Sequence, residues 1–245
     1  MSARRKLISI YTRIGRTYYR RAPSLLLLAL VVFVPLGLVD AIAAEVSVDS
    51  LDLSSGIKVA AVLAAVGAIT LTGLLGEVFY SGAVAVSLTH PEHEGAPPIA
   101  EVARRLDYRR LILVDIAYVT LVLVGLLFAL IPGVLVFVWF GLSGPVVEIE
   151  KRTVRGAFAR SWELVRGNFW TVLLVLGPIE IAGDLIGDGL AGLVHHLLGE
   201  GFLAGWLAET VSNVVLTPAF AIAAVLLTLD LIAAKDGPAG SGARG

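Results

Sequence analysis

Apolar residues in this chain fall in long runs rather than in strict alternation. A helix needs about 20 predominantly apolar residues to cross the hydrocarbon of a bilayer. Runs at Ser24 to Ala44, Lys58 to Thr89, Leu111 to Leu130, Val134 to Val147, Phe169 to Ala182 and Leu207 to Ala234 approach or exceed that length. The pattern predicts an all-α protein, a polytopic membrane helix bundle of about six transmembrane helices. The second run is long enough to tilt or to project from the membrane. Ile131-Pro132-Gly133 predicts a tight turn between spans three and four, because proline stops a helix and glycine allows positive φ. Gly183 to Gly201 is glycine-rich and carries Asp184 and Asp188. It reads as a short interfacial or re-entrant helix, with an extension of span five as the alternative.

Charge orients these runs. Arg4, Arg5, Lys6, Arg13, Arg16, Arg20 and Arg21 precede the first span. Arg104, Arg105, Arg109 and Arg110 lie between the second and third, and Lys151, Arg152, Arg155, Arg160 and Arg166 between the fourth and fifth. Lys235 and Arg244 follow the last, and Lys58 alone falls on the opposite side. Cytoplasmic loops collect lysine and arginine. The expectation is therefore a multi-pass protein of the cell (plasma or inner) membrane with N-terminus and C-terminus both cytoplasmic.

The same ordering divides the chain into a basic amphipathic N-terminal helix over 1–22, a membrane domain over 23–235 and a flexible tail over 236–245. Three times a basic segment leads through an anchoring junction into a pair of spans: Tyr18-Tyr19-Arg20-Arg21, Tyr108-Arg109-Arg110 and Asn168-Phe169-Trp170. In the third segment Val154, Ala157, Phe158, Ser161, Trp162 and Val165 share a helical face, while Arg155, Arg160, Glu163 and Arg166 lie mainly off it. Such a helix is expected to lie on the membrane surface with Arg155, Arg160, Trp162 and Arg166 toward anionic lipid headgroups. The plainer reading is a connecting helix that caps the bundle. Gly167 is placed to end it.

Composition narrows the chemistry. The 245 residues are 57% hydrophobic and 16% charged, more apolar than one soluble core could hide. Net charge is −1, so bulk charge does not point to nucleic acid. With no cysteine, disulfides, thiolate metal sites and cysteine catalysis are excluded. The basic start, the apolar stretch and Ala41-Ile42-Ala43 resemble a removable signal peptide in layout. The run from Leu25 to Ala44 is long for one, and its removal would leave an odd number of spans. No Walker loop and no usable Ser/His spacing for a nucleophilic triad are present, so no catalytic residue is assigned.

The motifs Ile131-Pro132-Gly133, Gly144-Pro145-Val146-Val147 with Glu148 and Glu150, and Ala157-Phe158-Ala159-Arg160-Ser161-Trp162-Glu163-Leu164-Val165-Arg166-Gly167-Asn168-Phe169-Trp170 resemble the glycerophosphoryl diester phosphodiesterase membrane-domain family of bacterial six-span proteins. The likeness extends more weakly to Pro218 and Thr228-Leu229-Asp230-Leu231, although the family's usual aromatic before that aspartate is absent. The resemblance implies a six-span membrane domain. In some relatives a fused soluble domain carries the phosphodiesterase chemistry. The cytoplasmic segments here are too short to bury such a core, so hydrolase activity is not carried over.

Ionisable residues inside spans are costly and suggest function. Glu77, Asp115, Glu180, Glu209 and Asp230 qualify. Glu77 and Glu180 are the candidate intramembrane polar site, lining a polar cavity or proton-linked path, with Pro178 and Pro218 freeing carbonyls nearby. Asp115, Glu209 and Asp230, near the interfaces, read as structural. His90, Glu92, His93 and Glu94 could in principle hold zinc or manganese, but Pro91 breaks their spacing, and His195 and His196 point in different directions on a helix. No metal and no cofactor is expected. Partners are membrane lipids, with other membrane proteins as a further option and no nucleic acid. The first functional expectation is a non-enzymatic, lipid-interacting scaffold or accessory subunit. The alternative is a small transporter or permease using Glu77 and Glu180, and a lipid-headgroup enzyme comes third. Convergence of the two glutamates on one water-sized cavity would favour transport.

Overall fold

A computed structural model describes residues 3–45, 76–90, 97–199 and 201–236. These residues form helices and, among them, no strand. In chain order the helices are α1 (Ala3–Glu45), α2 (Glu77–Leu88), α3 (Ile99–Arg105), α4 (Tyr108–Phe128), α5 (Leu130–Phe140), α6 (Ser143–Glu150), α7 (Val154–Val165), α8 (Phe169–Leu198) and α9 (Phe202–Asp236). Among the described residues five stretches are long and apolar enough to cross a membrane: Leu7–Leu38, Tyr108–Phe128, Leu130–Glu150, Phe169–Leu198 and Phe202–Asp236. The expected second span falls mainly on 58–75, outside the described residues, and α2 is its described end. The protein is an all-α membrane bundle.

Its outer surface fits that solvent. Ile112, Ile116, Leu127 and Phe128 of α4 are exposed, as are Trp170, Ile181, Leu185, Leu193 and Leu197 of α8. Lipid tails solvate leucine as well as a protein core does, so apolar burial alone cannot hold these helices together. Close backbone approach and interhelical hydrogen bonds do more. A Cβ on Gly125 of α4 would come within 2.9 Å of the Gly133 Cα in α5, which lets that hairpin close tightly. α2 sits at the centre, between α6 and α9, with ten of its twelve residues buried. A Cβ on Gly144 of α6 would strike the Val78 carbonyl oxygen of α2.

α1 runs antiparallel to α9 along most of its described length. Arg13 pairs with Asp230 at 2.7 Å, the Tyr18 hydroxyl donates to the Val215 carbonyl at 2.7 Å, and Trp206 Nε1 donates to the Val34 carbonyl at 3.1 Å. These bonds change the expected division at residue 22. The basic N-terminal segment and the first span are one helix running through Pro23 and Pro35. Ile10 and Ile14 are buried, so the segment packs on the bundle and does not lie apart from it.

One turn differs from expectation, and for Gly183 to Gly201 the helix takes the alternative course, an extension of span five. The break between α4 and α5 falls at Ala129, whose φ of −177° is extended. Pro132 is the third residue of α5, where its missing N–H belongs to the first turn and has no partner to lose. Gly183 to Leu198 continues span five as helix to Gly199. With no water to satisfy a freed backbone in hydrocarbon, the helix keeps its hydrogen bonds despite its glycines.

α7 caps one end of the bundle. Thr153 Oγ1 accepts from the Gly156 N–H at its start, and Gly167, with φ of +87°, lies just past its end. Trp162 packs against Trp139 of α5 with ring centroids 4.2 Å apart and ring planes tilted by 45°, and the Ser161 hydroxyl donates to the Trp139 carbonyl at 2.7 Å. Arg155 and Arg166 are exposed. Arg160 is not a surface cation: it is 7% exposed. Its guanidinium donates to Glu150 at the end of α6 (2.9 Å), to Glu163 one turn on (2.9 Å), and to Asp236 at the end of α9. Burial opposes its charge, but the hydrogen bonds to Glu163, Glu150 and Asp236 outweigh burial and hold it protonated above the ordinary arginine range.

Candidate functional site

Once α8 is continuous, Glu180, Asp184 and Asp188 fall four residues apart and share one helical face. Between them on that face lie Gly183 and Gly187. Opposite stands the α9 face that carries Glu209, Ser212, Asn213, Leu216, Thr217 and Phe220. Together they enclose a cavity of about 360 Å³, and Glu77, the first residue of α2, forms part of its lining. Ser212 Oγ donates to the Gly187 carbonyl at 3.3 Å and ties the two walls. A Cβ on Gly183 would meet nothing within 4 Å, so the glycine leaves open space there.

Among the described residues the lining holds five carboxyl groups and no lysine, arginine or histidine. Carboxylates one helical turn apart, about 6 Å, repel by roughly 3 kcal/mol at an effective dielectric of 20. The arrangement therefore favours any cation that enters. Burial is graded along it. Asp184 and Asp188 are exposed, Glu180 and Glu209 are half-buried, and Glu77 is only 8% exposed. Glu209 Oε1 accepts from Asn213 Nδ2 at 2.9 Å. Glu77 Oε2 is buried and has no hydrogen-bond partner among the described residues. A buried acceptor left without a donor is costly, and among the described residues this is the one such atom that belongs to the cavity lining, which makes it a place for a ligand.

The other buried acid is satisfied. Asp115 accepts from the Gly76 N–H at 2.6 Å with one oxygen and from the Val78 N–H at 3.1 Å with the other. It caps α2 from across the bundle, a position where Gly76 at φ +101° turns the chain into the helix. Asp230 is spent on Arg13. Pro178 leaves the Leu174 carbonyl without a helical donor, but the Tyr11 hydroxyl donates to it at 2.6 Å, so that carbonyl is not free to line the cavity.

The structure thus brings Glu77 and Glu180 to one cavity and keeps them apart from Arg155, Arg160, Trp162 and Arg166. Asp184, Asp188 and Glu209 join them. Their spacing of four was the available signal, masked by reading Gly183 to Gly201 as a separate segment. Among the described residues no three His, Asp or Glu side chains are grouped to hold a metal ion. Glu92, His93 and Glu94 lie outside the described residues, and His90 sits 3.6 Å from Glu101. His195 and His196 are at the end of α8 and outside the cavity lining.

Comparison with known protein families, characterised proteins and solved structures finds no match. Nothing in it ties the chain to the glycerophosphoryl diester phosphodiesterase membrane-domain family.

Proposed function

We propose that this protein is a small membrane carrier for cations, with the acidic cavity as its binding site. The observation that carries the reading is the convergence of Glu77 and Glu180 on one cavity that, among the described residues, has no basic residue in its lining and holds a buried Glu77 oxygen without a partner. A scaffold needs no such cavity. A carrier gains from it, because a desolvated cation inside a membrane requires a fixed counter-charge.

On this reading the basic segments, which favour the cytoplasmic side of a cell membrane, argue for a cytoplasmic α6–α7 end with both termini on that side. The cavity then opens toward the opposite face, near Asp188 and Glu209, and closes inward at Glu77, Thr217 and Phe220. Exposed Arg155 and Arg166 on α7 meet anionic headgroups and anchor the cytoplasmic face.

Proteoliposomes loaded against proton, monovalent-cation and small-amine gradients test the reading. Wild-type protein is expected to move at least one of them. Glu77→Gln and Glu180→Gln are expected to slow that flux tenfold or more. No flux of any cation under any gradient would overturn the proposal.

A further inference from the structure

The carboxyl groups of the cavity form a row rather than a cage. Glu180, Asp184 and Asp188 rise along α8 in steps of about 6 Å, about 12 Å from end to end. A bare divalent cation wants several oxygens converging on one point, and no such group of three exists among the described residues. A row of charges at fixed intervals suits a ligand whose own charges are spaced along a chain. Three or four methylene groups hold two ammonium nitrogens about 5–6 Å apart when extended. An aliphatic triamine therefore matches the row in both period and length.

The remaining lining supports the same shape. Ile179, Leu216 and Phe220 interleave with the acids and offer apolar surface to methylene segments. Gly183 and Gly187 keep the α8 wall low, so a thin chain can lie along it. At the inner end stands Glu77, with a buried oxygen that has no partner among the described residues and is the acceptor this reading assigns to a leading ammonium group. Phe220, 2% exposed, lines the same inner end and keeps it apolar.

We infer that the ligand of this cavity is a linear aliphatic polyamine, bound lengthwise with its leading ammonium between Glu77 and Glu180 and the following ones at Asp184 and Asp188. This rests on the cation-carrier reading and narrows it to a ligand class.

Binding to the purified full-length protein, measured by calorimetry with spermidine, 1,4-diaminobutane, butylamine and magnesium chloride, separates the two. Affinity is expected to rise tenfold or more with each added ammonium group, and magnesium is expected not to compete. Asp184→Asn and Asp188→Asn lie on exposed positions and should leave folding intact. Each should weaken spermidine several-fold and leave butylamine unchanged, whereas Glu77→Gln should weaken all three amines. Gly183→Leu, which fills open space, should exclude spermidine. Equal affinity for butylamine and spermidine, or displacement of spermidine by equimolar magnesium, would overturn the polyamine class and leave a cation carrier. Absence of binding by all four probes, together with absence of flux, would overturn both.

Discussion

Two buried acids in this bundle carry opposite roles because of what surrounds each oxygen. Asp115 gives one oxygen to the Gly76 N–H and the other to the Val78 N–H, replacing helical acceptors that the first turn of α2 lacks. Glu77, one residue from Gly76, has an oxygen with no partner among the described residues. The pair predicts opposite responses to the same chemical change. Asp115→Asn loses an acceptor and puts a second donor against an N–H, so it should destabilise by about 1–3 kcal/mol. Glu77→Gln keeps the side chain's shape and disturbs no hydrogen bond of the unpartnered oxygen, so it should leave stability equal or higher while weakening ligand binding. Thermal unfolding in detergent checks both. An Asp115→Asn protein that melts with the wild type would contradict the capping role, and a strongly destabilised Glu77→Gln would show that the oxygen is structurally engaged.

Among the elements, small residues decide where helices meet. Gly144 lets α6 lie against the Val78 carbonyl of α2, and a methyl group there would also come within 2.6 Å of Ser81 Oγ. Gly144→Ala should cost about 1–3 kcal/mol, as overpacking of a tight contact does, whereas Gly183→Ala faces open space and should be silent in the same melting assay. An undisturbed Gly144→Ala would mean that α2 and α6 slide apart without penalty. Hydropathy made most of these elements legible, since α4 at Tyr108–Phe128 falls close to the expected Leu111 to Leu130. Breaks were less legible. Pro132 and Gly133 carry a turn signature, yet proline in a first helical turn costs nothing, so the break moved to Ala129. The glycines of α8 suggested an interruption, but in lipid a broken helix exposes unsatisfiable backbone. Reading that segment as helix is what reveals the row of Glu180, Asp184 and Asp188. Glu77 and Glu180 stood out in the sequence because charge is rare inside a span. Their proximity, across about a hundred residues of chain, had no local signal.

At the scale of the whole molecule, the acidic cavity and the Arg160 cluster occupy opposite ends of α9. Arg160 draws Glu150, Glu163 and Asp236 together from three helices, and so fastens the ends of α6 and α9 to α7. Sequence placed Arg160 with the surface cations because two of its three partners, Glu150 and Asp236, come from 10 and 76 residues away, beyond any helical spacing. A carrier whose site opens at one face must be closed at the other, and this cluster stands where closure is needed on the proposed topology. Removing one member of a buried ion pair costs about 3–5 kcal/mol, and Arg160→Met should fall at or below the lower value because Glu163 and Asp236 remain partly in water. The accompanying change is positional. The chain has no cysteine, so Thr217→Cys places a single thiol in the cavity lining. In vesicles oriented with the cytoplasmic face outward, a membrane-impermeant thiol reagent should label that site slowly. Adding Arg160→Met should speed labelling several-fold, while Arg155→Met, on an exposed position of the same helix, should not. Equal labelling in all three proteins would mean that the Arg160 cluster fastens the helices without closing the path to the cavity.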